Sequence, residues 1–391
     1  MSDNDARRMA VLLNAFRTHF PGPEPIVVRA PGRVNLIGEH TDYNEGYVLP
    51  IAIERDVRFA CRSRSDRRVR LWSVNFQGGS EFDLDAIAPD PQQPWSNYVR
   101  GMAAVLVREG LLHRGMDAAI EGNVPIGAGL SSSAAMEVAA GVAFQVTGGF
   151  AIEAVRLAQL AQQAENEFMG VRVGIMDQFI SLLGQAGHAL LIDSRTLAYR
   201  AIPIRGEEHT FVVADSRQSR ELAASAYNER RAQCEEAVRW LRAEIPEIRS
   251  LRDVSVGEFL RHSARLPAVV ARRARHVITE NERVLEAAAA LEREDFARFG
   301  ALMNESHESL RFDYEVSSEA LDLLVAAARQ VDGCLGSRLT GAGFGGCTVS
   351  LVRTAAVADF TAHVTRVYRE FAGKEPFVYV TRPEAGAGVL A

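Results

Sequence analysis

The sequence predicts an α+β protein of two domains. Three observations carry that expectation. At 391 residues the chain exceeds what one hydrophobic core usually serves. Its strand-like and helix-like stretches come in segregated runs, which speaks against a doubly wound parallel sheet. A polar break at 205–208 (RGEE) separates a mixed N-terminal half from a mostly helical C-terminal half, which sets the expected domains at 1–205 and 206–391.

Taken in order, the first sixteen residues carry acids at Asp3 and Asp5 and no small-residue cleavage site behind an apolar block. They read as an amphipathic helix and not as a signal peptide. Residues 29–50 (RAPGRVNLIGEHTDYNEGYVLP) read as a short, half-buried strand or turn that carries Glu39, His40, Thr41 and Asp42 on a tight loop. The charge load of this stretch (Arg29, Arg33, Glu39, His40, Asp42, Glu45) is more than a core strand is expected to bear. Alternating polar and apolar residues predict antiparallel strands over 55–64 and 68–74. A helix is expected over 95–112, a strand over 116–121, helices over 131–146 and 152–168, and strands at 189–193 and 199–204. Beyond the break, helix-period spacing covers 220–243, 269–291 and 295–310. The chain then reads helix 317–331, strands 337–340 and 347–352, helix 355–371 and strand 377–381.

Composition narrows the function classes. Hydrophobic residues at 47% and charged ones at 24% are ordinary for a soluble globular protein. No apolar run of about 18 residues offers a membrane span. A net charge of -6, without a basic run interleaved with aromatics, argues against nucleic acid as a partner. The cysteines Cys61, Cys234, Cys334 and Cys347 are scattered without CxxC spacing, so a reduced, cytoplasmic protein is expected. The histidines form no HxH or HxxxH pair, so a built-in zinc site is not expected. Of 44 lysines and arginines only Lys374 is lysine, in AGKEP, and there is no GxxxxGK[ST] loop. A nucleoside triphosphate would therefore have to be held by backbone amides, arginine, hydroxyls and metal.

Four segments carry chemistry. In 39–42, two carboxylates, an imidazole and a hydroxyl can each pair a hydroxyl of a small polyol. In 123–138 (NVPIGAGLSSSAAMEV), Gly127 and Gly129 let the backbone approach a ligand, and Ser131, Ser132 and Ser133 open a helix of small residues whose amides and positive end suit an anion. In 174–179 (GIMDQF), Asp177 lies between apolar residues, where loss of water favours its protonated form unless a cation is near. In 336–351 (GSRLTGAGFGGCTVSL), the glycines beside a strand pattern indicate a turn that closes tightly on something.

Together these strings, in this order, resemble the signatures of the galactokinases, members of a small-molecule kinase superfamily (GHMP) that includes homoserine, mevalonate and phosphomevalonate kinases. The resemblance runs from about residue 25 to 352. It implies an N-terminal α/β-type domain and a C-terminal ferredoxin-like domain with the active site between them. It implies ATP and Mg2+, and transfer of phosphate to the anomeric hydroxyl of D-galactose. By resemblance Asp177 is the catalytic base, with Arg33 beside it. Glu39, His40, Thr41, Asp42, Gly174, Asp177 and Tyr227 (in SAYNERRAQCEEA) meet the sugar. Gly127, Ala128, Gly129, Leu130, Ser131, Ser132 and Ser133 meet the phosphates, and Trp95 and Tyr98 (in PWSNYVRG) bracket the adenine, with Ser73 near the nucleotide. Ser133 and Glu165 (in QQAENEF) hold the metal, although Glu165 read alone is one more exposed helical acid. The third motif is expected to pack over the phosphate loop. The segment 311–317 (RFDYEVS) also resembles a family segment, usually LRDDYEVS, but has Phe312 in place of an acid and Ser318-Glu319 where Cys-Pro is usual. A monomer is expected. Two alternatives stay open, a kinase for a related sugar such as N-acetylgalactosamine or arabinose, and a galactose- and ATP-binding sensor without turnover; the intact SSSAA with Arg33 and Asp177 favours turnover.

Overall fold

The computed structural model of the chain describes residues 3–218 and 223–390. A six-stranded sheet runs, edge to edge, through Gly388–Val389, Ile26–Asn35, Pro50–Ser63, Met116–Gly122, Arg68–Ser73 and Gly78–Asp83. All neighbours are antiparallel except Met116–Gly122 and Arg68–Ser73, which are parallel. The two-residue period of the strands divides its faces. Val27, Ala60 and Ala119 meet Leu12 and Phe16 of the helix Asp3–His19, whereas Val28, Phe59 and Ala118 belong to the main core. That core is covered by the helix Ser132–Gly148, which is predominantly apolar and buried along most of its length. Its alanines at 134, 135, 139, 140 and 143 leave room for close packing on the strands Ile26–Asn35 and Pro50–Ser63.

The second sheet has the order Cys334–Thr340, Cys347–Arg353, His209–Asp215, Phe377–Thr381, all antiparallel. In chain order its first strand lies between the third and fourth, and helices connect first to second and third to fourth, which is the ferredoxin-like arrangement the resemblance implied. A small third sheet joins Tyr47–Val48, His188–Asp193 and Tyr199–Pro203. The main core runs without a break from Phe59 and Phe144 to Phe211, Phe299 and Leu351, so the two large sheets share apolar packing. After Thr381 the chain crosses back to the first sheet and pairs beside Val28 and Arg29.

Several expectations need correction. The strands 55–64 and 68–74 form and run in opposite directions, but Met116–Gly122 lies between them. The charge-rich stretch from 29 is no marginal turn: Ile26–Asn35 is an interior strand of ten residues, with Arg33 and Asn35 buried because each has polar partners. The half beyond 208 is less helical than expected. His209–Asp215 (HTFVVAD) is the strand that its sheet is built around, and its partners come from far along the chain, where local periodicity cannot announce them. Gly78–Asp83 was also missed, since paired glycines carry little strand signal. The helix expected over 152–168 is α-helical only over Ala154–Ala164 and continues as a π-helical turn, Glu165–Met169. The helix expected over 220–243 is seen as Ala223–Arg242, and its expected start lies outside the described residues. No disulfide joins the four cysteines among the described residues. Among those residues, too, no helix is long and apolar enough to cross a membrane.

Candidate active site

A cleft of about 420 Å3 opens between the glycine loop, the loop at 39–42, the segment 171–177 and the turn at 341–342. Its position follows from one irregularity in the sheet. The pairing of Ile26–Asn35 with Pro50–Ser63 shifts register between Pro31 and Arg33, a bulge that re-aims Arg33. Gly32 makes room there, because a Cβ at this position would meet the Leu130 carbonyl oxygen at 2.7 Å. The Arg33 amide donates to that same carbonyl (3.0 Å), so the glycine loop docks directly on the bulge.

The glycine loop uses positive φ at Gly127 (73°), Gly129 (82°) and Ser131 (59°). Ser131 caps the helix Ser132–Gly148 by position only: its hydroxyl makes no capping bond and donates instead to Asp177. The first turn of that helix is left without a side-chain cap, and Ser132 and Ser133 line the cleft beside it. Unpaired amides at a helix start form an anion site.

Asp177 stands in the first turn of the helix Met176–Leu183. Its carboxylate accepts two parallel bonds from Arg33, Nε to Oδ1 and Nη2 to Oδ2, both 2.8 Å. The remaining Arg33 nitrogen, Nη1, donates to the Gly129 carbonyl (2.5 Å). The cation foreseen beside Asp177 is therefore present, in the bidentate geometry that only arginine offers.

On the other side of Asp177 lie the polar groups of 39–42. Asp42 accepts from the Tyr43 amide (2.9 Å) and the Met176 amide (3.4 Å). Burial and the neighbouring Asp177 charge push its pKa up to about 6. Glu39 is buried, and burial raises its pKa although Arg338 faces it. It accepts from Asn35 Nδ2 (2.8 Å) and the Gly341 amide (2.8 Å). His40 has φ of 64°, and burial drives its pKa down to about 3, so the ring is neutral. Tyr227 closes this end, its phenol bonded at the Gly174 backbone.

Glu165, on the π-helical turn, is not the exposed acid that the sequence alone indicates. It is buried, accepts from Gln178 Nε2 (2.7 Å) and is hydrogen-bonded to Ser133. Burial and the Asp177 charge push its pKa up to about 7. The same Gln178 amide reaches Glu137 (3.1 Å), a fully buried acid whose pKa burial raises well above the carboxylate range. Ser133 and Glu165 thus present one hydroxyl and one carboxylate to the cleft. Among the described residues no group of three or more His, Cys, Asp or Glu forms a self-sufficient metal cage.

Of the residues expected at the site, Arg33, Glu39, His40, Asp42, Tyr98, Gly127, Gly129, Ser131, Ser132, Ser133, Glu165, Gly174, Asp177 and Tyr227 line the cleft. Thr41, Ser73, Trp95, Ala128 and Leu130 do not. Thr41 is buried, and its one hydroxyl proton is shared between the carbonyls of Gly38 (2.8 Å) and Tyr47 (2.7 Å), which holds the loop closed. Ser73 accepts from the Phe76 amide (3.2 Å), and Trp95 lies nearly parallel to the Phe76 ring. Sequence reasoning missed Glu137, Gln178 and the buried Arg338. It also missed Tyr43 and Tyr314, whose rings adjoin His40. All five lie inside strings already singled out, but residue type alone gave none of them a role there. Gly341 lies against the glycine loop, its would-be Cβ 2.8 Å from the Gly129 oxygen.

Comparison with known proteins agrees with this layout. Residues 14–63 match the model of the galactokinase galactose-binding signature, 97–185 that of the GHMP kinases N-terminal domain, and 287–370 that of the GHMP kinases C-terminal region. A galactokinase of Roseiflexus sp. is 50% identical over 377 residues, 96% of each chain. One of Staphylococcus carnosus is 43% identical over 368 residues, 93% of this chain and 95% of that one. The crystal structure of Lactococcus lactis galactokinase complexed with galactose superimposes with a TM-score of 0.95 at 37% identity, covering 98% of this chain and all of that one. Mevalonate kinase of Methanococcus jannaschii, at 19% identity and a TM-score of 0.65 over 93% of this chain and 99% of that one, shares the fold.

Proposed function

The chain belongs to the galactokinase family, kinases that transfer phosphate from ATP to galactose, and from that premise we propose that Asp177 and Arg33 carry the transfer to the anomeric hydroxyl of D-galactose. The supporting observation is the Asp177 carboxylate, gripped by Arg33 and Ser131 between the polar loop 39–42 and the glycine loop. A hydroxyl bound against Asp42 lies on the same side of the cleft as the carboxylate that is to take its proton. In the loose transition state of phosphoryl transfer, the attacking oxygen becomes acidic as its bond to phosphorus forms, so a base held in place is sufficient. Arg33 keeps that base in one orientation and adds positive charge next to the transferring group.

ATP fits the opposite wall. Its phosphates would meet the amides at Gly127 to Ser133, where no lysine is needed, and its adenine would lie towards Tyr98, with Trp95, Phe76 and Ser73 as a second layer. Mg2+ fits Ser133 and Glu165, because this ion takes few protein oxygens and completes its shell with phosphate and water. When bound, it neutralises charge on the phosphates. We place the domain division at 205–206, with the tail beyond 381 returning to the first sheet, and the protein in the cytoplasm, which scattered and mostly buried cysteines suit.

The experiment is an ADP-release assay on galactose, glucose and N-acetylgalactosamine, run on the unmodified protein and on Asp177→Asn. Galactose is the preferred substrate, and Asp177→Asn lowers kcat by about 100- to 10,000-fold while calorimetry still detects galactose binding. Near-normal turnover in the variant would make Asp177 structural.

A further inference from the structure

Behind His40 a chain of hydrogen bonds links four remote segments, and one carbonyl determines its direction. His40 Nε2 faces the Ala342 carbonyl oxygen at 3.1 Å. A carbonyl only accepts, so Nε2 carries the proton, and in a neutral ring Nδ1 is then an acceptor. Nδ1 meets the Tyr43 hydroxyl at 2.8 Å, which must donate. With its one proton committed, Tyr43 accepts from the Tyr314 hydroxyl (2.7 Å). Tyr314 in turn accepts from the Cys234 thiol (3.1 Å). The circuit returns to its start through Asn44, which contacts the Cys234 thiol and donates to the His40 carbonyl (2.8 Å).

Resting on the galactose reading above, we propose that Tyr43 and Tyr314 are positioning residues for the sugar end of the cleft, which hold His40 in the Nε2–H tautomer and tie it to the turn at 341–346. Both ring nitrogens are then in use, and His40 offers galactose a rigid wall and no free N–H. This gives the segment 311–317 a purpose that its motif resemblance did not: Tyr314 donates to Tyr43 and so braces the proton order that the Ala342 carbonyl sets in the loop facing the sugar. It also explains why a residue at φ of 64° stays in place, since three rings (Tyr43, Tyr227 and Tyr314) and two hydrogen bonds surround it.

The test reads the tautomer directly, by long-range 1H–15N spectra of 15N-histidine protein without sugar, with the His40 signals assigned by their loss in His40→Gln. The expected result is a neutral ring protonated on Nε2 that does not titrate between about pH 5 and 8. In Tyr43→Phe the Nδ1 resonance moves towards that of an unpaired acceptor. The KM for galactose rises about two- to tenfold, the worth of one neutral hydrogen bond, and the KM for ATP stays put. Tyr314→Phe moves both quantities in the same direction by less. The proposal is overturned if His40 of the unmodified protein carries its proton on Nδ1, or if a folded Tyr43→Phe leaves both the resonance and the galactose KM unchanged. Should Tyr43→Phe not fold, the unmodified tautomer and Tyr314→Phe decide by the same criteria. Failure of the unmodified protein to phosphorylate galactose would instead remove the functional premise and leave the tautomer result standing.

Discussion

Gly174 has no room for a side chain, because a Cβ there would sit 1.8 Å from the Asp42 Oδ2. Gly174→Ala must therefore displace the Asp42 carboxylate and leave a sugar hydroxyl without its acceptor. The expected result is a galactose KM raised about 10- to 100-fold with a nearly unchanged KM for ATP, read by steady-state kinetics; equal losses for both substrates would mean a collapsed cleft. Glu165 predicts a pH effect on stability. Its pKa is raised from 4.5 to about 7, burial being the main cause. Between those values the folded chain keeps a proton that the unfolded chain has released, so stability falls as pH rises from 4.5 to 7 and then levels off. The span is worth about 3 kcal/mol at most. Urea melts across that window should show a shallower slope for Glu165→Gln, with the remainder due in part to Asp42; identical slopes would refute the buried, protonated Glu165. Nothing in QQAENEF announces this burial, which comes from the π-helical turn and from Gln178.

At the scale of elements, the turn at 341–346 and the glycine loop are pressed together. Gly341 has φ of +83°, and a Cβ there would come within 2.8 Å of the Gly129 carbonyl oxygen, the same oxygen that accepts from Arg33. Gly341→Ala adds backbone strain of about 1–3 kcal/mol and pushes on the loop that faces the phosphates. A thermal melt should show the destabilisation, and kcat/KM for ATP should fall about tenfold or more; an unchanged nucleotide constant would mean that the two loops move independently. Both glycine-rich strings were legible because glycine at such density has few other uses. The strand His209–Asp215 was not, since the residues that make it interior lie more than a hundred positions further along the chain.

The whole molecule is joined by its tail as well as by its core. Beyond Thr381 the backbone bonds back to the first half through Glu384 to Ala52 (3.0 Å), Gly386 to Gly184 (2.8 Å), Ala387 to Ser181 (2.9 Å) and Leu390 to Val27 (2.7 Å). Ser181 also donates to the Pro31 carbonyl (2.6 Å), next to the bulge that aims Arg33. Ending the chain at 381 removes these bonds and bares the edge of Ile26–Asn35. After allowance for the ordering entropy of the tail, the expected loss is about 2 kcal/mol or more. A lowered Tm with a raised KM for galactose would be the signature; an unchanged Tm would mean that the tail only lies on the surface.

Motif order and residue type determined the family, the acid proposed as base, the arginine beside it and the two glycine loops. Those are chemical requirements written locally, in residues that have no ordinary place in a strand or helix. Tertiary structure alone decided what each group can do once in place. It turned Thr41 inward, buried Glu165 near neutrality, raised Asp42 to about 6 and set the His40 tautomer through a carbonyl 302 positions away. The reason is that proton affinity and hydrogen-bond direction depend on lost water and on neighbours brought from distant segments, and neither is present in a sequence until the chain has folded.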